Sequence, residues 1–251
     1  MAEQNTFSRY AALYDLIYGD RDSAGEVEWI QDNLTTHGLP SSGTLLELGS
    51  GTGRHAHLLA GYGHTVTGVE TSKEMLSLAH ASDTVHFVQG DARTARLDQI
   101  FDCVLALFHV VSYQVTPADI DGIFETAAIH TASGGLFGFD IWFSPAVHYL
   151  KPEGRELSRS NDQLSVMRKA DPVENLRESS VTVNYSFEIT DANTGEQERF
   201  DESHLMRHFS APEIELYATK HGFTVLYQGE FLTDAEPSRD TWGVWFTLRK
   251  D

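Results

Sequence analysis

The part of this 251-residue chain best suited to hold a ligand is a glycine-rich turn. It runs Glu47-Leu48-Gly49-Ser50-Gly51-Thr52-Gly53, after a short apolar run and before a segment typical of a helix. Glycines let a backbone turn sharply and approach a ligand closely, and a helix that begins there presents free N–H groups. The pattern therefore predicts a binding loop at Gly49, Gly51 and Gly53.

An acidic residue further along is placed to bind a ribose. Glu70 ends the next predicted strand, 21 residues after Gly49. In doubly wound sheets an acid at this place accepts hydrogen bonds from both ribose hydroxyls. We therefore expect the ligand to be a nucleoside.

The loop itself argues against a dinucleotide. The dinucleotide fingerprint needs a third glycine at position 54, where this chain has Arg54. Glu47 would repel a pyrophosphate, but it suits a positively charged group such as the ammonium of an amino acid. A ribose, an ammonium group and no pyrophosphate indicate S-adenosylmethionine (SAM), and a dehydrogenase is the weaker alternative.

Strands alternate with helices around the loop, which implies right-handed crossovers and a parallel sheet. The predicted strands are 44–49, 64–70, 85–92, 101–108 and 134–142, and the helices between them include 54–63, 72–81 and 117–132. Near the C-terminus the pattern predicts a helix at 211–222 and two closing strands at 223–232 and 241–250.

The pattern changes after Trp142. Segments 180–190 and 196–209 alternate with period two around a turn at 191–195, which predicts an antiparallel hairpin. We expect a helical cap at residues 1–42, a core at 43–143 and 211–251, and an inserted antiparallel sheet at 144–210 over the strand ends.

The run ELGSGTG, followed by Glu70 and by QGDA with Asp91, resembles the class I SAM-dependent methyltransferases. The resemblance implies an α/β fold with a doubly wound, mostly parallel seven-stranded sheet (the Rossmann-like methyltransferase fold), a helical N-terminal cap, and a small antiparallel sheet inserted after the fifth strand. It also implies that Asp91 and Ala92 meet the adenine and that Leu107 and Phe108 line the methionyl side.

The loop and the resemblance together define a set of expected cofactor contacts. These are Tyr18, Glu47, Gly49, Gly51, Gly53, Glu70, Thr71, Met75, Asp91, Ala92, Leu107 and Phe108.

Three further segments resemble the bacterial N-methyltransferases of nucleotide-linked amino sugars. They are YDLIY (14–18), DIWFSP (140–145) and SHLMRHF (203–209). This looser resemblance implies a small-molecule acceptor, with a sugar amino group as the expected one. Methylation of another small metabolite at O or N, such as an amino acid or a phenol, and a non-catalytic SAM-binding protein stay open.

Methyl transfer from a sulfonium is a direct displacement, so alignment of the reactants and exclusion of water matter most. An amine must also lose a proton, which a histidine or tyrosine can accept. The candidates are His109, Tyr14 and His204, and Asp140 and Trp142 are expected to meet the acceptor. His109 and Trp142 follow strand ends, where ligands of such sheets bind.

Composition excludes other classes of partner. With 18 Lys plus Arg against 37 Asp plus Glu, the net charge is −19, and the basic residues are scattered. Binding of nucleic acid or of an anionic membrane surface is therefore not expected. The first 30 residues contain no basic start followed by an apolar stretch, so we expect a cytoplasmic protein. The resemblance also allows a homodimer.

No metal site is expected from the sequence. His204 and His208 have the i, i+4 spacing of helical metal sites, but the stretch is predicted to be a strand, and neither a Glu partner nor a cysteine supports zinc.

Overall fold

The computed structural model describes residues 11–19, 21–233 and 235–251. The helices are α1 (Ala11–Tyr18), α2 (Ser23–Thr36), α3 (Arg54–Gly61), α4 (Lys73–Leu78), α5 (Pro117–His130), α6 (Ser144–Leu150) and α7 (Ala211–Lys220). The strands are β1 (Thr44–Leu48), β2 (Thr65–Glu70), β3 (Val85–Gln89), β4 (Phe101–Ala106), β5 (Thr131–Trp142), β6 (Arg155–Ser160), β7 (Leu164–Asn175), β8 (Ser180–Asp191), β9 (Gln197–Arg207), β10 (Phe223–Glu230) and β11 (Gly243–Lys250). A short 3-10 turn spans Val111–Tyr113.

The larger sheet has seven strands in the order β10-β11-β5-β4-β1-β2-β3. The pairs among β1 to β5 are parallel, and β11 runs antiparallel to both of its neighbours, β5 and β10. The predicted fold class, a doubly wound and mostly parallel seven-stranded sheet with a smaller antiparallel sheet, is confirmed.

The central strands are apolar because both faces of the sheet are covered. Leu45, Leu46 and Leu48 of β1 are all fully buried. Apolar side chains of α5 and α7 cover one face, and those of α2 and α3 cover the other. This packing holds the carboxyl end of β1, and so the glycine turn that follows it, in a fixed position.

The second sheet has four strands in the order β6-β7-β8-β9, all antiparallel. The predicted hairpin corresponds to β8 and β9, so it accounted for only half of this sheet. Sequence reasoning also missed α6, a helix of seven residues.

Strands β6 and β7 were not predicted from the sequence, because their sequences are largely polar. β6 reads RELSRS and has no buried residue. β7 contains Pro172, which argues against a strand with neighbours on both sides. The structure explains why a proline is tolerated here. The pairing of β6 with β7 ends at Ala170 of β7, so Pro172 pairs with Val183 of β8 on one side and has no strand of this sheet on the other side.

Helix α1 joins the smaller sheet to the glycine turn. Leu13 and Ile17 pack in one apolar cluster with Val166 and Phe187 of the sheet. At the other end of the helix, the backbone carbonyl of Tyr18 accepts a hydrogen bond from Arg54 Nη1 at 3.0 Å. Among the helices of the described residues, none is long and apolar enough to span a bilayer.

Candidate functional site

The glycine turn lies at the carboxyl end of β1, as the sequence predicts. Gly49, Gly51 and Gly53 all have positive φ angles, of 74°, 56° and 85°. The turn is tied to β2 by a hydrogen bond of 2.7 Å from Gly49 N–H to the Val69 carbonyl. Gly53 is the N-cap residue of α3, directly before Arg54. Positive φ favours glycine, which explains why the motif repeats it.

The three glycines differ in what a side chain would meet. A Cβ at Gly49 would lie 2.6 Å from Val110, and one at Gly53 would lie 2.3 Å from Phe87. A Cβ at Gly51 would have no described atom within 4 Å. Gly49 and Gly53 are therefore needed for packing within the protein, whereas Gly51 faces open space that a ligand can fill.

Glu70, at the end of β2, stabilises the turn through hydrogen bonds to backbone N–H groups. Its Oε2 accepts the Gly51 N–H at 2.9 Å, and its Oε1 accepts the Ser72 N–H at 2.7 Å. The side chain is 7% exposed. Because each carboxylate oxygen can accept a second hydrogen bond, the group still has capacity for ligand hydroxyls.

Glu47 brings a second carboxyl group beneath the turn. It is 1% exposed, and its Oε2 has no hydrogen-bond partner in the part of the chain that the structure describes. Burial, and then the nearby charge of Glu70, raise the pKa of Glu47 to about 8. A buried acceptor without a partner is costly, so this group fits a site that a cation completes.

The raised pKa of Glu47 has a consequence for folding. Between pH 4.5 and about 8 the carboxyl is ionised in the unfolded chain and protonated in the folded protein. Stability therefore falls as pH rises through this window and changes no further above it. We expect Glu47→Gln to remove this contribution, about 1.4 kcal/mol per pH unit, in urea unfolding curves. Parallel pH profiles for Glu47→Gln and for the exposed control Glu28→Gln would contradict the assignment.

A second group of predicted residues meets where β4 and β5 end. Phe108 and His109 have positive φ angles of 60° and 64°, a strained conformation for residues other than glycine. Asp140, fully buried at the end of β5, accepts the His109 backbone N–H with both carboxylate oxygens at 3.1 Å. The buried carboxylate thus holds the strained turn in place.

The His109 ring also lies against the same carboxylate. Its Nδ1 is 2.5 Å from Asp140 Oδ2, an ion-pair contact. Burial alone would raise the pKa of Asp140, but the charge and hydrogen bonds of His109, with a smaller contribution from Arg21, hold that pKa below its ordinary value. The contact with Asp140 fixes the orientation of the His109 ring beside the strand ends.

Aromatic rings connect this pair to the rest of the site. Tyr18 meets Phe108 edge-on at 5.4 Å between ring centroids, and Phe108 stacks on His109 at 5.5 Å. The Trp142 ring meets the His109 ring edge-on at 6.0 Å between centroids. The guanidinium of Arg21 lies 3.7 Å above the Phe108 ring. The structure therefore brings Tyr18, Phe108, His109 and Trp142 together.

His204 belongs to a different group, on β9. Its Nδ1 is 2.8 Å from the Tyr113 hydroxyl and its Nε2 is 3.3 Å from Glu202 Oε2. The Tyr185 ring lies 5.0 Å away, and the His204 side chain is 2% exposed. The sequence did not single out Tyr113, although its place four residues after His109, beyond the end of β4, could have suggested it.

The adenine-side candidates follow β3. The Asp91 carboxylate accepts hydrogen bonds from the Arg93 side chain, which also reaches Asp119 at 2.5 Å. The hydrogen bond from Arg93 lowers the pKa of Asp91. Asp91 is thus ionised but already paired, and Ala92 beside it is partly buried against the core. Arg93 is a part of this region that sequence reasoning missed.

The remaining predicted contacts vary in exposure. Met75 in α4 and Leu107 after β4 are each 3% exposed, whereas Thr71, directly after β2, is exposed. The side chain of Tyr14 lies outside the described residues.

Comparison with known proteins identifies the chemistry. A family model described as a methyltransferase domain matches residues 45–135, a stretch that begins within β1 and contains the glycine turn and β2 to β4. YqeM of Bacillus subtilis is 27% identical over 249 residues, 97% of each chain.

Two further relatives act on amino sugars. The dTDP-3-amino-3,4,6-trideoxy-alpha-D-glucopyranose N,N-dimethyltransferase of Streptomyces venezuelae is 29% identical over 233 residues, which cover 87% of this chain and 91% of that protein. The solved structure of CalS10, an amino pentose methyltransferase of Micromonospora echinaspora determined with SAM bound, superposes with a TM-score of 0.78 at 22% identity over 100% of both chains.

The domain match covers the glycine turn, and the similarity to the Streptomyces venezuelae N,N-dimethyltransferase covers 87% of this chain. The open face of Gly51 and the two carboxyl groups beside it suit a nucleoside that carries a positive charge. Residues 45–135 match a methyltransferase domain, and the chain is similar to SAM-dependent methyltransferases, among them the N,N-dimethyltransferases of dTDP-linked amino sugars.

Proposed function

We propose that this enzyme transfers a methyl group from SAM to the amino group of a nucleotide-linked amino sugar. The observation that carries the proposal is the pairing of His109 with the buried Asp140 at the end of β5, since an amine acceptor needs a proton acceptor beside it. The relatives that act on dTDP-linked amino sugars, at 29–30% identity, support this class of acceptor.

The cofactor would be held by the glycine turn and the acids around it. Gly51 leaves the space, Glu70 offers acceptors for the ribose hydroxyls, and Glu47 offers a buried acceptor for the ammonium group. When bound, SAM supplies the methyl group on a sulfonium. Asp91 and Ala92 on the adenine side, and Tyr18 and Phe108 on the methionyl side, complete the proposed site, as do the more buried residues Met75 and Leu107 and the exposed Thr71.

The chain's own contribution to the reaction is mainly to position the acceptor. The rings of Phe108 and Trp142 lie against His109, with Tyr18 against Phe108, and they leave the His109 side chain 23% exposed, so they restrict the access of water to it. Alignment of a nucleophile in this way supplies much of the rate of a direct displacement. His109 takes the proton of the acceptor ammonium, and Asp140 keeps the ring oriented and stabilises its charge.

An anionic acceptor needs a cation near the site, because the chain as a whole carries a charge of −19. Arg168 of β7 donates a hydrogen bond to the Tyr18 hydroxyl at 3.1 Å, and its guanidinium lies 5.2 Å from the Tyr185 ring centroid. We propose that Arg168 offsets the negative charge of a nucleotide diphosphate. His204, with Tyr113 and Tyr185, would then contact the sugar, and Tyr14 stays a candidate from the sequence.

The acceptor class is tested with labelled SAM. We expect label to enter a dTDP-linked amino sugar and not the same nucleotide sugar with a hydroxyl in place of the amine. Transfer to amino acids or phenols instead would replace the proposed acceptor with another small metabolite. Binding of SAM without transfer to any member of the panel would favour a non-catalytic SAM-binding protein.

Three expectations about location and partners rest on the sequence and its resemblance alone. This proposal includes a cytoplasmic location, the absence of nucleic-acid and membrane partners, and a homodimer. Gel filtration with light scattering measures the last of them.

Replacement of Glu70 should weaken SAM binding. Glu70→Ala removes a charged acceptor for the ribose and also frees the Gly51 and Ser72 N–H groups, so we expect a loss of about 1–3 kcal/mol in calorimetric titrations. Glu74→Ala is a matched control, because Glu74 is an exposed acid four residues away. An unchanged dissociation constant for Glu70→Ala would remove Glu70 from the site.

A further inference from the structure

Three potential metal ligands converge away from the glycine turn. His148 lies on α6, Glu174 lies near the end of β7, and His208 follows β9. One ligand atom from each falls within 4.8 Å of the other two. The His148 and His208 rings meet edge-on at 4.9 Å between centroids, and His148 Nδ1 is 3.3 Å from Glu174 Oε1.

His208 is the buried member of the cluster. It is fully buried, and its Nε2 has no hydrogen-bond partner among the residues described. Its Nδ1 lies 2.8 Å from the Ser144 hydroxyl, which fixes the orientation of the ring. A buried ring nitrogen without a partner is unfavourable in a folded protein, and a ligand at Nε2 would remove this cost.

The hydrogen bond of the His208 ring agrees with coordination. With the proton on Nδ1 facing the Ser144 hydroxyl, the lone pair of Nε2 is free for a ligand. Metal-binding histidines commonly use the second ring nitrogen in this way.

We propose that His148, Glu174 and His208 form a binding site for a divalent transition metal, of which Zn²⁺ is the representative ion. Two imidazoles and one carboxylate are a known Zn²⁺ ligand set, which leaves a fourth position for water. Bonds of about 2.0–2.2 Å require the ligand atoms to approach to about 3.4 Å, so the cluster must contract. His148 can supply this movement, since its side chain is 46% exposed.

The location indicates what the metal would do. Helix α6 begins directly after β5 of the larger sheet, and Glu174 belongs to the smaller sheet. His208 lies on the segment that returns from the smaller sheet to α7, where its backbone N–H bonds the Ser179 carbonyl at 2.9 Å. A bound ion would fasten the smaller sheet to the core and so stabilise the position of the sheet beside the site.

Binding is tested with Zn²⁺ alone on the metal-free full-length enzyme. We expect one Zn²⁺ per chain by equilibrium dialysis and elemental analysis. We also expect a rise of several degrees in melting temperature, which EDTA reverses, when Zn²⁺ is about 100 times its dissociation constant. Mg²⁺ should produce neither effect, because it prefers oxygen ligands.

Variants assign the binding to these residues. His148→Ala and Glu174→Gln alter partly exposed side chains, so both should fold, and each should weaken Zn²⁺ binding at least about tenfold. His80→Ala, which removes an exposed histidine elsewhere, should bind as the parent does. Absence of Zn²⁺ binding, or equal binding by His148→Ala and His80→Ala, would overturn the proposal, whatever the outcome with methyl acceptors.

Discussion

Gly51→Val abolishes SAM binding: we expect the dissociation constant to rise by more than about 100-fold, equivalent to about 2.7 kcal/mol. Two effects contribute. The side chain would enter the open space above the turn, where no described atom lies within 4 Å, and valine is strained at a φ of 56°. Calorimetric titration with SAM, and with S-adenosylhomocysteine, measures the loss.

Strain alone could disturb the turn, so the experiment needs a control with the same backbone penalty. Gly195, in the turn between β8 and β9, has a φ of 75°, and a Cβ there would likewise have no described atom within 4 Å. Gly51→Val and Gly195→Val should both lose about 1–3 kcal/mol of stability. Only Gly51→Val should lose the cofactor, and near-normal SAM affinity in that variant would show that the turn is not the binding site.

His109→Asn lowers turnover far more than it lowers SAM affinity. Asparagine tolerates the positive φ of this position and can still donate to Asp140, so the turn should persist. It cannot accept a proton from the acceptor, and loss of such a base costs about 10²–10⁴-fold in rate. Steady-state kinetics gives kcat, and titration gives the affinity for SAM.

Comparison of turnover with affinity separates a chemical role of His109 from a structural one. Disturbance of the turn should lower SAM affinity together with turnover, whereas loss of a proton acceptor should lower kcat alone. His109→Ala should lower turnover as well, with a further loss of stability because the buried Asp140 loses the ring that contacts its carboxylate. His86→Asn, at an exposed position on β3, should match the parent. Equal turnover in His109→Asn would clear His109 of any role in proton transfer.

Much of the cofactor side of the site is predictable because its information is local. The turn from Glu47 to Gly53 joins a strand to a helix within one βα unit, and each glycine has the positive φ that its residue type favours. Glu70 follows at the end of the next strand, so a single crossover brings it to the turn. The hydrogen bond that Glu70 makes to Gly51 N–H is a detail that only the three-dimensional structure supplies.

On the acceptor side, the sequence predicted individual residues but not the contacts between them. His109 and Asp140 were candidates for different roles, and their contact depends on the parallel pairing of β4 with β5. Arg168 reaches Tyr18 from 150 positions away along the chain. No local pattern reports such a contact, because it depends on how the smaller sheet packs on α1.

The sequence by itself determined the parallel core through the spacing and apolar content of its strands, and it indicated the glycine turn and the class of cofactor through the run ELGSGTG with Glu70. Those properties follow from interactions between near neighbours and from burial of whole strands. The tertiary structure alone decided the polar strands β6 and β7, the His109–Asp140 pair, and the meeting of His148, Glu174 and His208. Each of these requires segments far apart in the chain to pack together, and a sequence pattern does not specify how close such segments lie in space.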